Sequence, residues 1–211
     1  MRLLIFGAGD HGRALAALAR ALGHDVVGYT DASAARVTDA PVLGDDEAGV
    51  AAFCQRRCDA AVVGVGNTAR DARRRLHARL EAAGIPLVTL VHPRASVDGS
   101  AAVGDGTAVF AGAIVGSSAR VGKNCVLYSA AVVEHDCVLE DHAYLGPGVV
   151  LAGRVTVRTG AFLGAGAVVL PGVEIGADAT VGAGAVVTEL VTGGDTVIGA
   201  PARPRTAAAG R

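Results

Sequence analysis

The C-terminal half of the chain repeats a hydrophobic position every sixth residue. From Val97 to Val187, sixteen successive positions at this spacing hold Val, Leu or Ile. The residue four places after each of them through Val181, from Ala101 to Ala185, is Ala, Cys, Thr or Val. A period of six is typical of a parallel β-helix in which each hexad forms one side of a three-sided coil. The pattern predicts about five coils, with the aliphatic and the small residues facing the interior.

The first 90 residues follow a different pattern, in which short apolar runs alternate with stretches of helical periodicity. The apolar runs predict strands that end near Gly7, Asp31 and Gly64, and a fourth strand over residues 85–93. Helices are predicted over residues 11–22, 46–57 and 68–84, the last with Thr68 as its N-cap. Its buried stripe is predicted to comprise Ala69, Ala72, Leu76 and Leu80. Alternation of this kind favours a parallel sheet flanked by helices.

The two patterns divide the chain into two predicted domains. Residues 1–92 are predicted to form an α/β, Rossmann-like half domain with a parallel sheet. Residues 93–211 are predicted to form the parallel β-helix of hexapeptide repeats and a C-terminal tail.

A glycine-rich loop follows the first predicted strand and opens the first predicted helix. Its residues, Gly7 to Gly12, fit the pattern G-x-G-x-x-G, with Asp10 and His11 at the variable positions. Glycines at these places allow a tight turn and a close backbone approach, and a helix N-terminus attracts an anion such as a pyrophosphate. Asp31 follows the second strand, where an acidic residue can bind a ribose hydroxyl. The alternative is a tight turn that binds nothing.

A second glycine loop ends the third predicted strand. It includes Gly66 and Asn67, and it lies at the same edge of the predicted sheet as the first loop. Ligands of α/β sheets bind at this edge. A dinucleotide such as NAD would need a second half of the fold, which the chain lacks. The two loops therefore favour a nucleotide that carries a small group, bound by Gly7, Gly9, Asp10, His11, Asp31, Gly66 and Asn67.

Charge and hydropathy exclude several classes of protein. The formal net charge of −1, without a block of like charges, argues against a nucleic-acid-binding surface. No stretch approaches the roughly 18 apolar residues of a membrane span. The N-terminal apolar run is too short for a cleavable signal, so we expect a cytoplasmic protein without a membrane partner.

Residues 132–147 form the densest polar patch of the repeat region. The hexad phase places Cys137, like Cys125, in the interior as a small filler, and it places His135 and His142 on the outside of a coil. His142 follows His135 at an offset of seven residues, so the two are expected on different sides. This arrangement disfavours a metal site such as that of a γ-class carbonic anhydrase. Cys54 and Cys58 lack a second pair of zinc ligands and are expected to be reduced structural thiols.

Several segments together resemble a known family. They are GAGDHG, VGVGN, LVHPRASV, VVEHDCVLED, GPGVVLAGRV, FLGAGAVVLPGV and VIGAPAR. They resemble bacterial sugar acetyltransferases of the left-handed β-helix superfamily. The branch is that of sialic-acid O-acetyltransferases, which includes N-acetyltransferases of nucleotide-linked 4-amino sugars. The resemblance covers nearly the whole chain, and it implies a left-handed coil and a homotrimer with active sites between subunits.

The resemblance also implies roles for individual residues. His135 would act as the general base on the sugar amine, with Asp136 orienting its ring. The backbone amide of Gly153 would stabilise the oxyanion. An imidazole suits this role because it can accept a proton at neutral pH, and a neighbouring carboxylate fixes its tautomer.

The cosubstrate implied by the resemblance is acetyl-CoA, and no metal is implied. Acetyl-CoA would lie between adjacent β-helices, touching Ala165, Ala183 and the segment 198–204. Tyr144 stands where relatives often carry a histidine, so its role near the CoA is left open. His11 would either touch the phosphates of the nucleotide or be a bystander.

The function expected from the sequence is acetyl transfer from acetyl-CoA to the amino group of a nucleotide-linked 4-amino-4,6-dideoxy sugar. The alternatives are O-acetylation of a sugar hydroxyl and a non-catalytic scaffold that binds sugar nucleotides. UDP, GDP and dTDP remain open as the nucleotide.

Overall fold

The computed structural model describes residues 1–32, 39–56 and 58–205. The chain divides into two compact units, Met1–Pro93 and Arg94–Arg211. No helix in the described ranges is long and apolar enough to cross a membrane.

The first unit contains a three-stranded parallel sheet of order β2-β1-β3. The strand β1 is fully buried from Leu3 to Phe6 because helices pack on the sheet and cover its aliphatic side chains. This unit confirms the α/β expectation. The bounds are β1 Arg2–Phe6, α1 Asp10–Ala21, β2 Asp25–Thr30, α2 Asp46–Arg56, β3 Ala60–Val63, a 3-10 turn Asn67–Ala69, α3 Arg70–Ala82 and β4 Leu90–Val91.

Two details of the first unit differ from the sequence expectation. Residues 85–93 do not form a full fourth strand, because their pairing with β3 is a single parallel bridge between Leu87 and Ala61. Thr68 is not a helix N-cap, because it lies within the 3-10 turn and α3 begins only at Arg70. The shifted start also changes the buried stripe. Ala69 is exposed, and the buried residues of α3 are Arg73, Leu76, His77 and Leu80.

The second unit is the left-handed β-helix. Short parallel strands follow one another every six residues from Ser96 to Val187, and each of them up to Val169 pairs with the strand 18 residues later, as Val133 does with Leu151. The bounds of its strands are β5 Ser96–Val97, β6 Ala102–Val103, β7 Ala108–Val109, β8 Ile114–Val115, β9 Arg120–Val121, β10 Val126–Leu127, β11 Val132–Val133, β12 Val138–Leu139, β13 Tyr144–Leu145, β14 Val150–Leu151, β15 Thr156–Val157, β16 Phe162–Leu163, β17 Val168–Val169, β18 Glu174–Ile175, β19 Thr180–Val181, β20 Val186–Val187, β21 Thr196–Ile198 and β22 Arg203–Pro204.

The interior of the β-helix confirms the hexad phase. The aliphatic positions from Val109 to Val187 are all buried, most of them completely. The small residues four places later are buried as well, including Cys125 and Cys137 at 0% exposure. A stack of similar coils leaves room in the interior for one large and one small side chain per hexad. The six-residue period of the sequence therefore reflects how the core is packed.

The outward side chains give the three faces of the prism different characters. The aliphatic face contains β8, β11, β14, β17 and β20, and it presents Ile114, Val132, Val150, Val168 and Val186. The charged face, with β9, β12, β15 and β18, carries Arg120, Glu140, Arg158 and Glu174. The aromatic face, with β7, β10, β13 and β16, carries Phe110, Tyr128, Tyr144 and Phe162.

Candidate active site

His135 lies at the corner between the aliphatic and the charged face, directly after β11. Its Nδ1 is 2.9 Å from Oδ2 of Asp136, and roughly half of each side chain is exposed, 47% and 56%. The backbone of Asp136 is left-handed, with φ of 59°, and its N–H donates to the carbonyl oxygen of Ser117 on the preceding coil. A carboxylate at Nδ1 favours the tautomer that carries its proton there. Nε2 is then left with a lone pair, the form required of a base.

Gly153 occupies the same corner one coil later. A Cβ built on Gly153 would lie 2.4 Å from Nε2 and 2.5 Å from Cε1 of His135, so the imidazole lies over the α-carbon of this glycine. The carbonyl oxygen of His135 accepts the N–H of Arg154 at 3.0 Å, which fixes the two coils in register. Among the described residues, the N–H of Gly153 has no acceptor. The structure therefore brings together an imidazole, a carboxylate and a backbone N–H at one corner.

The other residues expected near the acetyl donor lie elsewhere on the prism. Ala165 and Ala183 are exposed at the corner between the aromatic and the aliphatic face. Tyr144 lies on the aromatic face, where its ring is 5.7 Å from those of Tyr128 and Phe162, and it is only 7% exposed. One β-helix does not bring these residues to the corner of His135.

His142 occupies the third corner, between the charged and the aromatic face. Its Nδ1 is 2.9 Å from Nδ2 of Asn124, the residue one coil below, and Asn124 is fully buried. His142 thus belongs to the packing of that corner, apart from the site of His135. Within the described parts of the chain, no group of three or more His, Cys, Asp or Glu could hold a metal ion.

Among the cysteines whose side chains the structure describes, Cys58, Cys125 and Cys137 form no disulfide, and none lies at the candidate site. Cys125 and Cys137 are interior residues whose thiols donate to the carbonyl oxygens of Glu140 and Ala152. Burial raises the pKa of Cys137. Cys58 is half-buried, and the side chain of Cys54 lies outside the described residues.

In the first unit, the glycines of the first loop serve two different purposes. A Cβ on Gly12 would lie 2.0 Å from the carbonyl oxygen of Gly7, and a Cβ on Gly7, whose φ is +112°, would lie 2.9 Å from the backbone of Gly64. These three glycines are needed for the close approach of the two loops. Gly9 caps α1 without a side-chain hydrogen bond, and a Cβ there would meet nothing within 4 Å. Protein packing therefore does not explain a glycine at that position.

The remaining residues expected to bind the nucleotide surround this loop. A carboxylate oxygen of Asp31, Oδ2, accepts the N–H of Ala8 at 2.9 Å, so Asp31 fastens the first loop to the end of β2. Gly66 caps the 3-10 turn that begins at Asn67, and the half-buried side chain of Asn67 bonds to no other described residue. Asp10 is exposed and pairs with Arg13.

His11 and Arg73 form a buried pair that sequence reasoning missed. His11 is 7% exposed and Arg73 is 3% exposed. Arg73 donates to the carbonyl oxygens of Val63 and Val65, and its Nη1 is 3.5 Å from Nε2 of His11. Burial, with a smaller contribution from Arg73, lowers the pKa of His11 to about 3. The available signal was the helical spacing of Arg73 with Leu76 and Leu80, which places an arginine on the buried face of α3.

Comparison with known families finds matches for both units. The profile of the bacterial transferase hexapeptide family (six repeats) matches residues 118–153 and 154–189. The profile of the PglD N-terminal domain matches residues 2–80. Among curated protein sequences there is no match.

Solved structures extend the match over almost the whole chain. The GDP-perosamine N-acetyltransferase of Caulobacter crescentus, as a histidine-to-alanine variant with CoA and GDP-perosamine, is 36% identical. The alignment covers 98% of each chain with a TM-score of 0.93. The acetyltransferase domain of PglB from Neisseria gonorrhoeae, with acetyl coenzyme A, is 32% identical over 97% of this chain and 98% of that one, with a TM-score of 0.90. WeeI from Acinetobacter baumannii is 25% identical over 97% and 100%, with a TM-score of 0.84.

These matches confirm the resemblance drawn from the sequence motifs. They cover both the glycine loops of the first unit and the β-helix corner that carries His135. The chain belongs to the left-handed β-helix sugar acetyltransferases with a PglD-type N-terminal domain, and it is an acyl-CoA-dependent acetyltransferase.

Proposed function

We propose that the chain transfers an acetyl group from acetyl-CoA to the amino group of a nucleotide-linked 4-amino-4,6-dideoxy sugar. The observation that carries the proposal is the imidazole of His135, held by Asp136 and lying over Gly153. Support comes from similar structures that contain CoA with GDP-perosamine, or acetyl coenzyme A. Perosamine N-acetylation uses an amine, which favours the amine over a hydroxyl as the acceptor.

The first chemical step is direct attack of the amine on the thioester. The nitrogen forms a bond to the acetyl carbon, and Nε2 of His135 accepts the proton that the nitrogen loses. Asp136 stabilises the imidazolium that forms at this stage. The N–H of Gly153 donates to the oxyanion of the tetrahedral intermediate.

Collapse of the intermediate completes the transfer. The carbon–sulfur bond breaks, the amide remains on the sugar, and the thiolate of CoA takes the proton from the imidazolium of His135. The base is thereby regenerated without any other group changing its protonation state. No covalent acyl-enzyme is required, because the amine attacks the thioester directly.

The nucleotide is bound by the first unit. Its diphosphate lies at Gly7, Gly9, Asp10 and the N-terminus of α1, where backbone N–H groups and the helix dipole favour an anion. The rest of the nucleotide reaches the neighbouring residues at the ends of β2 and β3. These are Asp31, Gly66 and Asn67, together with His11 beneath them.

The active site is shared between subunits of a homotrimer. The corner of His135 and the corner of Ala165 and Ala183 flank the aliphatic face on opposite sides. If three such faces turn towards a threefold axis, each His135 corner meets the Ala165 corner of its neighbour, because the contact of a cyclic trimer is heterologous. Acetyl-CoA then lies in the groove between the two prisms, in contact with Ala165, Ala183 and Gly153, and Tyr144 borders its path.

The aliphatic face has the composition that such an interface needs. Ile114 is 42% exposed and Leu170 is 40% exposed, and the valines of this face are half-buried in the isolated chain. Contiguous exposed aliphatic side chains mark contact surfaces in proteins. We expect Val150→Glu to dissociate the trimer in analytical ultracentrifugation and to abolish activity together with it. A monomeric wild-type chain with full activity would contradict the shared site.

The test of the function measures CoA release from acetyl-CoA in the presence of UDP-, GDP- and dTDP-linked 4-amino sugars. We expect turnover with at least one of them, and a loss of at least about 100-fold in kcat for His135→Ala, the lower end of the range for general base catalysis. His142→Ala is the matched control, since it removes a histidine from another corner of the same coil. Wild-type activity in His135→Ala would refute the mechanism, and turnover only with hydroxyl acceptors would refute the choice of the amine.

A further inference from the structure

Arg73 is an arginine in the interior of the first unit, below both glycine loops. It lies on the buried face of α3 with 3% of its surface exposed. Its Nη1 donates to the carbonyl oxygen of Val63 at 2.9 Å and to that of Val65 at 3.1 Å. Val63 ends β3, and Val65 lies between Gly64 and Gly66 of the second glycine loop. The guanidinium therefore holds the start of that loop against α3.

These two carbonyl oxygens lie where an anion is expected to bind. The carboxyl ends of the strands form the ligand-binding edge of an α/β sheet, and carbonyl oxygens there carry partial negative charge. Left alone, they would repel a diphosphate. The guanidinium of Arg73 donates hydrogen bonds to both carbonyl oxygens, and a guanidinium keeps its positive charge in proteins. The guanidinium thus places a positive charge beside the two carbonyl oxygens beneath the second loop.

His11 joins Arg73 to the first glycine loop. Its Nε2 is 3.5 Å from Nη1 of Arg73, and its Cβ would be 3.3 Å from a Cβ placed on Gly66. His11 follows Gly9 and Asp10 at the N-terminus of α1. With a pKa lowered to about 3 it stays neutral at physiological pH, so it does not neutralise a phosphate itself. The side chain of His11 lies between the two glycine loops and next to Arg73, so the position of Arg73 affects both loops.

We infer that Arg73 is a positioning residue for the diphosphate of the sugar nucleotide, which fixes the second glycine loop and supplies buried positive charge under both loops. The inference rests on the proposed function, since it assigns Arg73 to the nucleotide site named there. It concerns the diphosphate of the nucleotide and not the nucleobase or the sugar. It therefore holds for UDP, GDP and dTDP alike.

The experiment compares Arg73→Met and Arg73→Lys with the wild type and with Arg75→Met. Arg75 is exposed on the same helix two residues later, so Arg75→Met is a control for the loss of one positive charge. Isothermal titration with GDP, UDP and dTDP, and with the three nucleosides that lack phosphate, measures the binding. For Arg73→Met we expect the affinity for each diphosphate that binds the wild type to fall about 10- to 100-fold, as for the loss of a charged hydrogen bond. Nucleoside affinity should stay within about 2-fold.

Kinetics separate a positioning role from a merely structural one. The KM for the nucleotide sugar should rise with the loss of diphosphate affinity, while the KM for acetyl-CoA and kcat stay within about 2-fold. A general weakening of the fold would instead change both KM values and kcat, and that result would overturn the inference. Arg73→Lys keeps the charge but lacks the planar fork, so it should lose about 3- to 10-fold in diphosphate affinity. If Arg73→Met does not fold, the binding and kinetic measurements on Arg73→Lys test the inference.

The outcomes also distinguish this inference from the proposed function. A wild-type chain that binds none of the three nucleoside diphosphates and acetylates no nucleotide sugar would refute the proposed function. A wild-type chain that binds a diphosphate, with Arg73→Met and Arg73→Lys binding it equally well, would refute the role of Arg73 alone.

Discussion

Replacing Gly153 by alanine adds a single methyl group directly under the base of the candidate site. That methyl carbon would lie 2.4 Å from Nε2 and 2.5 Å from Cε1 of His135, whereas ordinary contacts begin at 3.4 Å. The imidazole must therefore move by about 1 Å or rotate away. It can do so because its side chain is 47% exposed, but the movement breaks the 2.9 Å bond to Asp136.

The expected cost follows from this displacement. A misplacement of about 1 Å in a catalytic group reduces the rate by about 100-fold, which corresponds to about 2.7 kcal/mol in the activation barrier. Gly153 does not have a positive φ, so alanine is compatible with its backbone, and the N–H proposed for the oxyanion is retained. We therefore expect a decrease in kcat without a large decrease in thermal stability.

The assay is steady-state CoA release with a saturating nucleotide amino sugar, accompanied by thermal denaturation. Gly99→Ala is the matched control: Gly99 occupies the same corner three coils earlier, and a Cβ there meets nothing within 4 Å. We expect Gly99→Ala to retain wild-type kcat. If Gly153→Ala also retains it, the placement of the imidazole over Gly153 does not matter for catalysis, and the proposed geometry of the base is refuted.

Three further predictions test the dyad, the nucleotide-binding unit and the β-helix. Asp136→Asn should lower kcat by at least about 10-fold with the KM for acetyl-CoA unchanged, because the amide cannot stabilise the imidazolium of His135; an unchanged kcat would contradict this. Folding lowers the pKa of His11 from 6.5 to about 3, so between pH 6.5 and pH 3 the imidazole is protonated in the unfolded chain but not in the folded one. The unfolding free energy should therefore fall as the pH drops below 6.5, by up to about 1.4 kcal/mol per pH unit. Urea titrations of His11→Gln should show a flatter pH dependence, and equal slopes would refute the assignment. Leu139→Ala should cost about 2–5 kcal/mol of unfolding free energy and Val138→Ala, at a 36% exposed position, about 1 kcal/mol or less; equal losses in urea denaturation would contradict the hexad phase.

The hexapeptide region was the most predictable part of the chain because its period fixes the direction of every side chain. Once Val133 and Leu139 are interior, Cys137 must be interior and His135 must face outward, and the structure confirms both. The separation of His135 from His142 followed from the same rule. What the period could not show is that the imidazole covers Gly153, since this depends on the rotamer of one exposed side chain.

The first unit was predictable in its alternation of strands and helices but not in its details. Thr68 is of a residue type that is favoured at N-caps, yet a 3-10 turn precedes α3, so the N-cap is Ala69 and the helix begins at Arg70. Arg73 was missed because a charged residue is rarely expected on a buried face, and the sequence does not show that its guanidinium reaches the carbonyl oxygens of Val63 and Val65. The proposed site between subunits cannot be read from the pattern of one chain, since it depends on which corner of one prism meets which corner of the next.

The most direct test of the central claim is the chemical identity of the acetylated product. The chain is incubated with acetyl-CoA and a nucleotide-linked 4-amino sugar, and the product is analysed by mass spectrometry before and after treatment with neutral hydroxylamine. We predict a product that is one acetyl group heavier than the substrate and that resists hydroxylamine because it is an amide. The variant His135→Ala should form this product much more slowly than the wild type. A product that hydroxylamine cleaves as an ester, or one that His135→Ala forms as fast as the wild type, would contradict the account.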